Sequence, residues 1–551
     1  MNAAAQSAPD PSKPKIALCL SGGGLRATFF HAGVIQLLRD AKLLEKITHI
    51  FSVSGGSILA AHVVLNWEKY TGTIEEYAAA ESEMFKLGLR DIRGRVIRRW
   101  ILSWLLMPAQ LVSRFRRTNL LEREYAQFFK GTTLQELTSS SGQSRPELHL
   151  LATSFTTGQL YSFSRDGLST GDSGSGRIFR TGIIPLARAV AASSAFPPLF
   201  PPLVLTREML GADVEDLPYD PEYLSDGGVY DNLGFEKFLH LQEDGTLSVE
   251  FLFISDAGAR FDWDTKRRFW WIVSRTVRAT DILMKRVADA TLSTATKATT
   301  GLVTLHFPIS DVVPKSILST ALPEDIQKRF SKIRTDLDRF SKAEMTLLTR
   351  HGYEVAYNRI HGDGQLKRHL ESTSLSPRDS WTGTRVLSTA QLLDKARRRS
   401  IGLVGLRDWV TYALIGCVVF AAGLVYVPFG LQRATIEDQQ AQLNTKAAEV
   451  ANLSRPTPAN IPIVTVVISP SDSNAGEQTV SNVSYNQIYV AFSNPTAGVV
   501  KLYWVDFNGV ESFFDSLQPG EVKRFRTFVG HLWIAKAETG AVLMKYVAKA
   551  T

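Results

Sequence analysis

Cysteine is nearly missing from this chain: Cys19 and Cys417 are the only two in 551 residues. Two thiols cannot build a disulfide framework. Cys19 falls in a strand-like apolar run and Cys417 in a long apolar segment, so no pairing between them is expected. Cysteine and histidine do not cluster at zinc-site spacing either, and the sequence predicts no metal and no cofactor. No internal repeat or long low-complexity run is present. Residues 1–14 are polar and rich in alanine and proline, without the apolar centre of a cleaved signal peptide. No nucleic-acid-binding motif accompanies the net charge of +8. The charge therefore reads as attraction to an anionic lipid surface, and no nucleic-acid partner is expected.

What is present begins with two strand-to-helix turns. Ile16-Ala17-Leu18-Cys19-Leu20 runs into Ser21-Gly22-Gly23-Gly24-Leu25-Arg26, and Ile50-Phe51-Ser52-Val53 runs into Ser54-Gly55-Gly56-Ser57. The second turn resembles G-x-S-x-G with Ser52 in the first position, a pattern that exposes a serine hydroxyl and frees the following amides. Ser52 and Ser57 compete with Ser54 as nucleophile; strand alternation followed by the glycine pair favours Ser54. Gly22, Gly23 and Gly24 open a stretch with helical periodicity, where unpaired N–H groups and the positive end of the helix dipole favour an anion. No Lys-Ser/Thr pair follows and dinucleotide spacing is absent, so the loop reads as an oxyanion hole rather than a nucleotide site. Arg26 is either a ligand for a substrate phosphate or an ordinary exposed helix arginine.

A serine needs a base. His31 and His62 lie on predicted helices beside the two turns but carry no local signature of a triad. Asp226, in Ser225-Asp226-Gly227-Gly228, can point into a cleft with little steric cover. Taken alone, Asp-Gly is a common turn pair.

The three motifs together resemble patatin-like phospholipases: Ser-Gly-Gly-Gly-Leu-Arg-Ala at 21–27, Ser-Val-Ser-Gly-Gly at 52–56 and Asp-Gly-Gly at 226–228, in that order. Pro185 to Pro202 is similar to that family's helix and proline turn, and Phe251 to Gly258 to its following buried strand. The resemblance covers residues 15–363 and implies an α/β fold, a patatin-like three-layer sandwich. It also implies a Ser–Asp dyad, with Ser54 as nucleophile, Asp226 as general base and Gly22, Gly23 and Gly24 as oxyanion donors. Two family glycines are replaced, by Ala27 and Ser52. The Gly-Gly-Gly-x-Arg-Ala form is also similar to cytosolic phospholipase A2 relatives, which implies a phosphate role for Arg26. The expected activity is hydrolysis of fatty-acyl esters in a membrane phospholipid or lysophospholipid through an acyl-serine. A Ser–His–Asp esterase and an inactive transmembrane receptor or scaffold are the alternatives.

The uncharged, apolar stretch 409–431 predicts one transmembrane helix, since about 20 apolar residues cross a bilayer. Lys395, Arg397, Arg398, Arg399 and Arg407 crowd one flank, against Arg433 and Lys446 on the other. The positive-inside bias then predicts a single-pass protein, with a cytoplasmic catalytic domain and an exported C-terminal domain. Two basic stretches rich in large apolar residues, Arg90 to Met107 (continued by Arg114, Arg116 and Arg117) and Lys266 to Trp271, read as contacts with lipid headgroups. Their other reading is a solvated helix face with a packed apolar side. Residues 364–408 read as a polar, basic linker, and 432–462 as a helical stalk ending in a proline-spaced linker.

From residue 463 to 551 the pattern turns to strands separated by turns at Asn508-Gly509 and Gln518-Pro519-Gly520, predicting a small all-β sandwich. Ser493-Asn494-Pro495, the run Leu502 to Gly509, Leu517 to Gly520 and Gly530-His531-Leu532-Trp533 resemble the β domain of the von Hippel-Lindau tumour suppressor. That resemblance implies a hydroxyproline-peptide pocket, to which Trp504, His531 and Trp533 correspond. Phe514 stands where the family has tyrosine and Thr527 where it has serine, so the possible peptide ligand meets a partly altered set of hydroxyls. Aromatic packing in the sandwich core is the competing reading.

Overall fold

The computed structural model describes residues 15–106, 116–138, 144–171, 178–179, 183–211, 219–258, 272–297, 302–371, 386–398, 404–405, 408–453, 463–469, 471 and 473–550. The chain divides into two compact units, residues 1–424 and 425–551.

The first unit is built on a ten-stranded sheet. Strand β1 (Ile16–Leu20) lies between β2 (Ile47–Ser52) and strand Phe251–Asp256, with β3 (Glu147–Ser154) beyond β2 and strand Val303–Pro308 at the far edge. These five run parallel. Parallel strands covered on both faces need apolar residues at successive positions, and all five residues of β1 are fully buried. Ile16, Leu18 and Leu20 join one core with helix α1 (Gly24–Asp40), helix α2 (Gly55–Leu65) and helix Lys342–His361. Ala17 and Cys19 face a second core with Phe51, Leu252 and Ile254, closed by Phe238 and Ala295 from helices Glu236–Glu243 and Ile272–Lys297. The result is the three-layer α/β sandwich. Antiparallel strands extend the sheet beyond β3, and strand Glu222–Asp226 pairs antiparallel with its C-terminal end, Ala152 opposite Asp226.

Residues 364–408 do not behave as a plain linker. Helices Lys367–Glu371 and Val386–Ala396 bury Leu370, Leu393 and Ala396 in the main core. Three apolar side chains spaced through a polar stretch gave too weak a period to be read as helix.

The transmembrane expectation is overturned. Among the described residues no helix is long and apolar enough to cross a membrane. The apolar stretch belongs to a 45-residue helix, Trp409–Leu453, whose second half is polar and charged. The single-pass arrangement, with a cytoplasmic catalytic domain and an exported C-terminal domain, falls with it.

The arginines of the first basic stretch are also committed elsewhere. On helix Ile92–Leu106, Arg98 is buried and bonds Asp408 at 3.0 Å and Asp91 at 2.9 Å. Arg95 bonds Glu124 at 2.8 Å, and Arg93 pairs with Asp336. Acidic partners distant in sequence turned what read as a headgroup-facing surface into an internal ion network. Arg114 and the second stretch, 266–271, lie outside the described residues.

The second unit carries a sandwich of two sheets. Strands Ile463–Val467, Gln487–Ser493 and Val522–Phe528 form one; Glu511–Leu517, Val500–Val505, Leu532–Ala537 and Val542–Val547 form the other. Val490, Phe492, Leu502, Leu517 and Trp533 fill the space between them. Both sequence-predicted turns are present, with Gly509 at φ 85° and Gly520 at φ 76°, the left-handed region that glycine enters without steric cost.

Breaking a buried ion pair strands its partner. Asp408→Ala is expected to lower the stability of the first unit by ~3–5 kcal/mol, measured by chemical denaturation followed through intrinsic fluorescence. A change under ~0.5 kcal/mol, as for an ordinary surface substitution, would contradict the buried network.

Candidate active site

The two sequence-predicted turns meet at the C-terminal ends of β1 and β2. Ser54 sits between β2 and α2 with φ 52° and ψ −119°, a conformation a residue with a side chain adopts at a cost of ~1–3 kcal/mol. Surroundings enforce it. Its N–H donates to the Ser193 carbonyl at 3.1 Å and lies 3.2 Å from the Ser193 hydroxyl. The next residue is packed against the neighbouring turn, where a Cβ on Gly55 would lie 2.0 Å from the Gly24 carbonyl oxygen. Only glycine allows the two turns to approach this closely.

Of the three candidate serines, Ser54 alone is partly exposed. Ser52 and Ser57 are buried and bond each other at 3.1 Å; Ser57 also bonds Ser193 at 2.8 Å. These hydroxyls brace the turn.

Asp226 ends its strand 1% exposed. Its N–H donates to the Ala195 carbonyl at 3.2 Å, and its Oδ1 accepts the Gly228 N–H at 2.8 Å. Burial pushes the carboxyl up to about 7, opposed by the Ser54 hydroxyl and the Gly228 N–H, both of which favour the charged form. Oδ2 is buried without a protein partner of hydrogen-bonding geometry. Ser54 and Asp226, distant in sequence, are thus hung from one short turn, Ser193 to Ala195, at the end of helix Leu186–Ser193.

The three loop glycines divide. The Gly22 N–H is spent on the Asn232 carbonyl at 3.0 Å. Gly23 and Gly24 are partly exposed, and neither N–H has an acceptor among the described residues. Gly55, which follows Ser54, opens α2 and likewise has no acceptor there; the amide after a nucleophile is a usual oxyanion donor. Gly55 was visible in the sequence as part of the Ser-Gly-Gly turn but not singled out. Asn232 was missed. Its Oδ1 lies so close to both glycine turns that a Cβ would stand 2.4 Å away at Gly22 and 2.7 Å away at Gly228. The signal for it was its place four residues beyond the Asp-Gly-Gly motif.

Arg26 does not face the site as a phosphate ligand. It is buried, and its guanidinium donates to the carbonyls of Ser331 at 3.2 Å, Ile333 at 2.8 Å and Ala257 at 2.6 Å. Burial lowers its pKa to about 10. It ties α1 to two distant segments. Both histidines are occupied too. His31 bridges the Ser255 hydroxyl at 2.6 Å and the Ser21 carbonyl at 2.9 Å; His62 bonds Tyr70 at 3.0 Å and Glu83 at 3.3 Å. Burial lowers each to about 4, so neither has a ring nitrogen left for Ser54.

In the C-terminal unit the expected pocket residues form a connected cluster. Trp533 is buried, and its Nε1 donates to the Thr527 hydroxyl at 3.1 Å; that hydroxyl lies 3.3 Å from His531 Nδ1. The Trp504 ring lies 5.5 Å from His531, and Phe514 meets Trp533 edge-on at 4.9 Å. Trp504 Nε1 is buried without a partner. Packing accounts for Trp533 but not for that unpaired N–H.

Residues 18–239 match the family model for patatin-like phospholipase, and residues 479–544 match that for the VHL beta domain. The chain therefore holds a patatin-like phospholipase domain over residues 18–239 and a VHL beta domain over residues 479–544. No curated protein matches the chain. Among solved structures, human GIVD cytosolic phospholipase A2 aligns at 11% identity and TM-score 0.41, covering 67% of this chain and 64% of that one. VipD from Legionella pneumophila aligns at 16% identity and TM-score 0.28, covering 66% and 68%. This chain spans slightly under two thirds of the length of the human enzyme structure.

The Asp226 carboxyl binds its proton more tightly folded than unfolded, because its folded value lies near 7 and the unfolded one near 3.8. Its contribution to stability is therefore full below about pH 4 and is lost as pH rises through about 7. Asp226→Asn is expected to remove this loss and stabilise the fold above pH 7 by a few kcal/mol. Denaturation curves at pH 5 and pH 8 check it; an equal change at both would refute the buried, proton-holding carboxyl.

Proposed function

We propose that this chain, with its patatin-like phospholipase domain, is a lipid acyl hydrolase that cleaves fatty-acyl esters of phospholipids or lysophospholipids by a Ser54–Asp226 dyad. The observation carrying this reading is that a partly exposed serine, strained into a tight turn, and a buried aspartate hang from the same short turn, Ser193 to Ala195, with the serine hydroxyl favouring the aspartate's charged form. In the first step Asp226 accepts the Ser54 proton as the oxygen attacks the ester carbonyl. Negative charge then develops on the carbonyl oxygen, and the free N–H groups of Gly23, Gly24 and Gly55 are its donors. Each well-placed donor of this type contributes ~3 kcal/mol to lowering the barrier. Asp226 returns the proton to the leaving alcohol, giving a Ser54 acyl ester. It then takes a proton from the water that attacks the acyl group and passes it to the Ser54 oxygen as the fatty acid leaves, which restores the serine hydroxyl.

The base is matched to the task. A carboxylate at its ordinary pKa is a weak base at neutral pH, whereas one raised toward 7 accepts a proton readily while still largely ionised just above that value. The Ser–His–Asp alternative loses support because both nearby imidazoles are bonded elsewhere. Arg26 has no phosphate-binding part in this scheme, and Asn232 acts as a positioning residue between the two glycine turns.

Ser54→Ala is expected to abolish labelling by a fluorophosphonate probe, while Ser52→Ala and Ser57→Ala, where folded, retain it. Asp226→Asn is expected to lower kcat/KM on a lysophospholipid by roughly 10²–10⁴-fold. In the unsubstituted protein kcat/KM should rise with pH and level off above about 7, because the ionised Asp226 is the active form. An unlabelled protein that releases no fatty acid would favour the inactive-scaffold reading instead.

The VHL beta domain is read as a peptide-binding module, supported by the unpaired Trp504 N–H beside His531 and Thr527. Prolyl and hydroxyprolyl peptides titrated into the full chain should shift tryptophan emission, and Trp504→Phe should remove the response. No shift with either peptide rejects the module.

A further inference from the structure

The parallel pairing of β2 and β3 places His49 directly beside Glu147, and Phe51 beside His149. Side chains two apart on a strand share a face, so one face of this two-strand unit presents His49, Glu147 and His149 together. One ligand atom from each lies within 4.8 Å of the others. His49 Nε2 stands 3.5 Å from one Glu147 oxygen and His149 Nε2 stands 3.5 Å from the other.

Both separations are longer than a well-formed hydrogen bond. N–H···O bonds fall at 2.7–3.2 Å. Ligand atoms on a tetrahedral zinc-class ion, each ~2.0–2.1 Å from the metal, stand about 3.4 Å apart, so each imidazole Nε2 is at ligand spacing from one of the two carboxylate oxygens. The outer nitrogens face hydroxyls: His49 Nδ1 lies 3.0 Å from Thr48, and His149 Nδ1 faces Ser162 at 3.4 Å. That arrangement orients the rings and leaves both Nε2 atoms turned toward the carboxylate. A second, independent observation points to a ligand. His149 is 4% exposed, and its Nε2 is buried with no hydrogen-bond partner. A buried ring nitrogen without a partner is costly unless something fills the place. The ring is held there by stacking on Phe51 at 4.6 Å and 6°.

We propose that His49, Glu147 and His149 form a binding site for a divalent transition metal of the zinc class, clamping β2 to β3. Two imidazoles and one carboxylate suit zinc and its first-row neighbours better than magnesium or calcium, which prefer all-oxygen sets. The fourth position is open to water, since His49 and Glu147 are only partly buried. The neighbouring cations have other partners: Lys237 donates to the Ser169 hydroxyl at 3.0 Å, and Arg165 lies 3.9 Å from Asp166. The site lies on the strand that ends at Ser54 but takes no part in the proposed acyl transfer. Its role is to lock the register of the two strands that flank the nucleophile turn.

The test uses the full chain, dialysed against chelator and titrated with Co²⁺, read by visible absorption, and with Zn²⁺, read by calorimetry. One equivalent of each is expected, with a tetrahedral cobalt spectrum, and a rise in the thermal midpoint at saturating Zn²⁺. His149 is buried and stacked, so its replacement risks the fold; the half-buried positions supply the variants. His49→Asn and Glu147→Gln should each weaken Zn²⁺ binding at least ~10-fold while retaining fluorophosphonate labelling of Ser54. The proposal is overturned if the unsubstituted chain takes up neither metal, or if both variants bind with unchanged affinity and spectrum. Because labelling is read separately, failure of the metal site and failure of the hydrolase reading are distinguishable.

Discussion

The catalytic reading depends on keeping water away from one carboxylate without taking away its reacting partner. Asp226 is almost wholly buried, and that burial moves its proton affinity into the neutral range. A carboxylate exposed on a surface turn would be too weak a base; one buried with a cation beside it would be held ionised and weaker still. The Gly228 N–H bonded to Oδ1 and the Ser54 hydroxyl favour the charged form and temper the shift without cancelling it. No cation is among the groups that act on Asp226, and the Arg26 guanidinium is bonded to the carbonyls of Ser331, Ile333 and Ala257.

The sheet makes this geometry reproducible. β1 and β2 are adjacent, parallel and buried on both faces, so their C-terminal ends are fixed relative to each other by two cores at once. The turns that leave these ends interlock through Gly55 against Gly24. Asp226 arrives on an antiparallel strand paired with β3, and the Ser193–Ala195 turn bonds both the Ser54 and Asp226 amides. Strain at Ser54 is thereby held by surroundings that have no easy way to relax it.

Legibility in the sequence followed the range of the interactions. The turns at Ser54 and at Gly23-Gly24 were legible because a strand ending in a glycine turn is a local event, whereas Asp226 stood out only through the family resemblance. The sandwich strands were readable from alternation and from the turns at Gly509 and Gly520. What could not be read was where a side chain's partner lay. Nothing local shows that Gly22 spends its N–H on Asn232, or that Arg26 bonds carbonyls near residues 257 and 333. The arginines of helix Ile92–Leu106 read as a lipid-facing cluster because Glu124, Asp336 and Asp408 are remote in sequence.

The same limit explains why the sequence predicted no metal. Zinc-type motifs are recognised when ligands recur within a few residues, yet a parallel sheet assembles ligands by register instead. Glu147 and His149 are two apart, an unremarkable spacing until His49 is brought beside them by strand pairing. Catalysis and clamping then become two outcomes of one structural fact. β2 carries Phe51 and His49 toward one face, Ile50 toward the other and Ser54 at its end, so any shift in its register against β3 would displace the nucleophile along with the imidazole. A bound ion at the start of that pairing would oppose such a shift where the two strands first meet, and the hydrogen bonds of the Ser193–Ala195 turn oppose it at the other end.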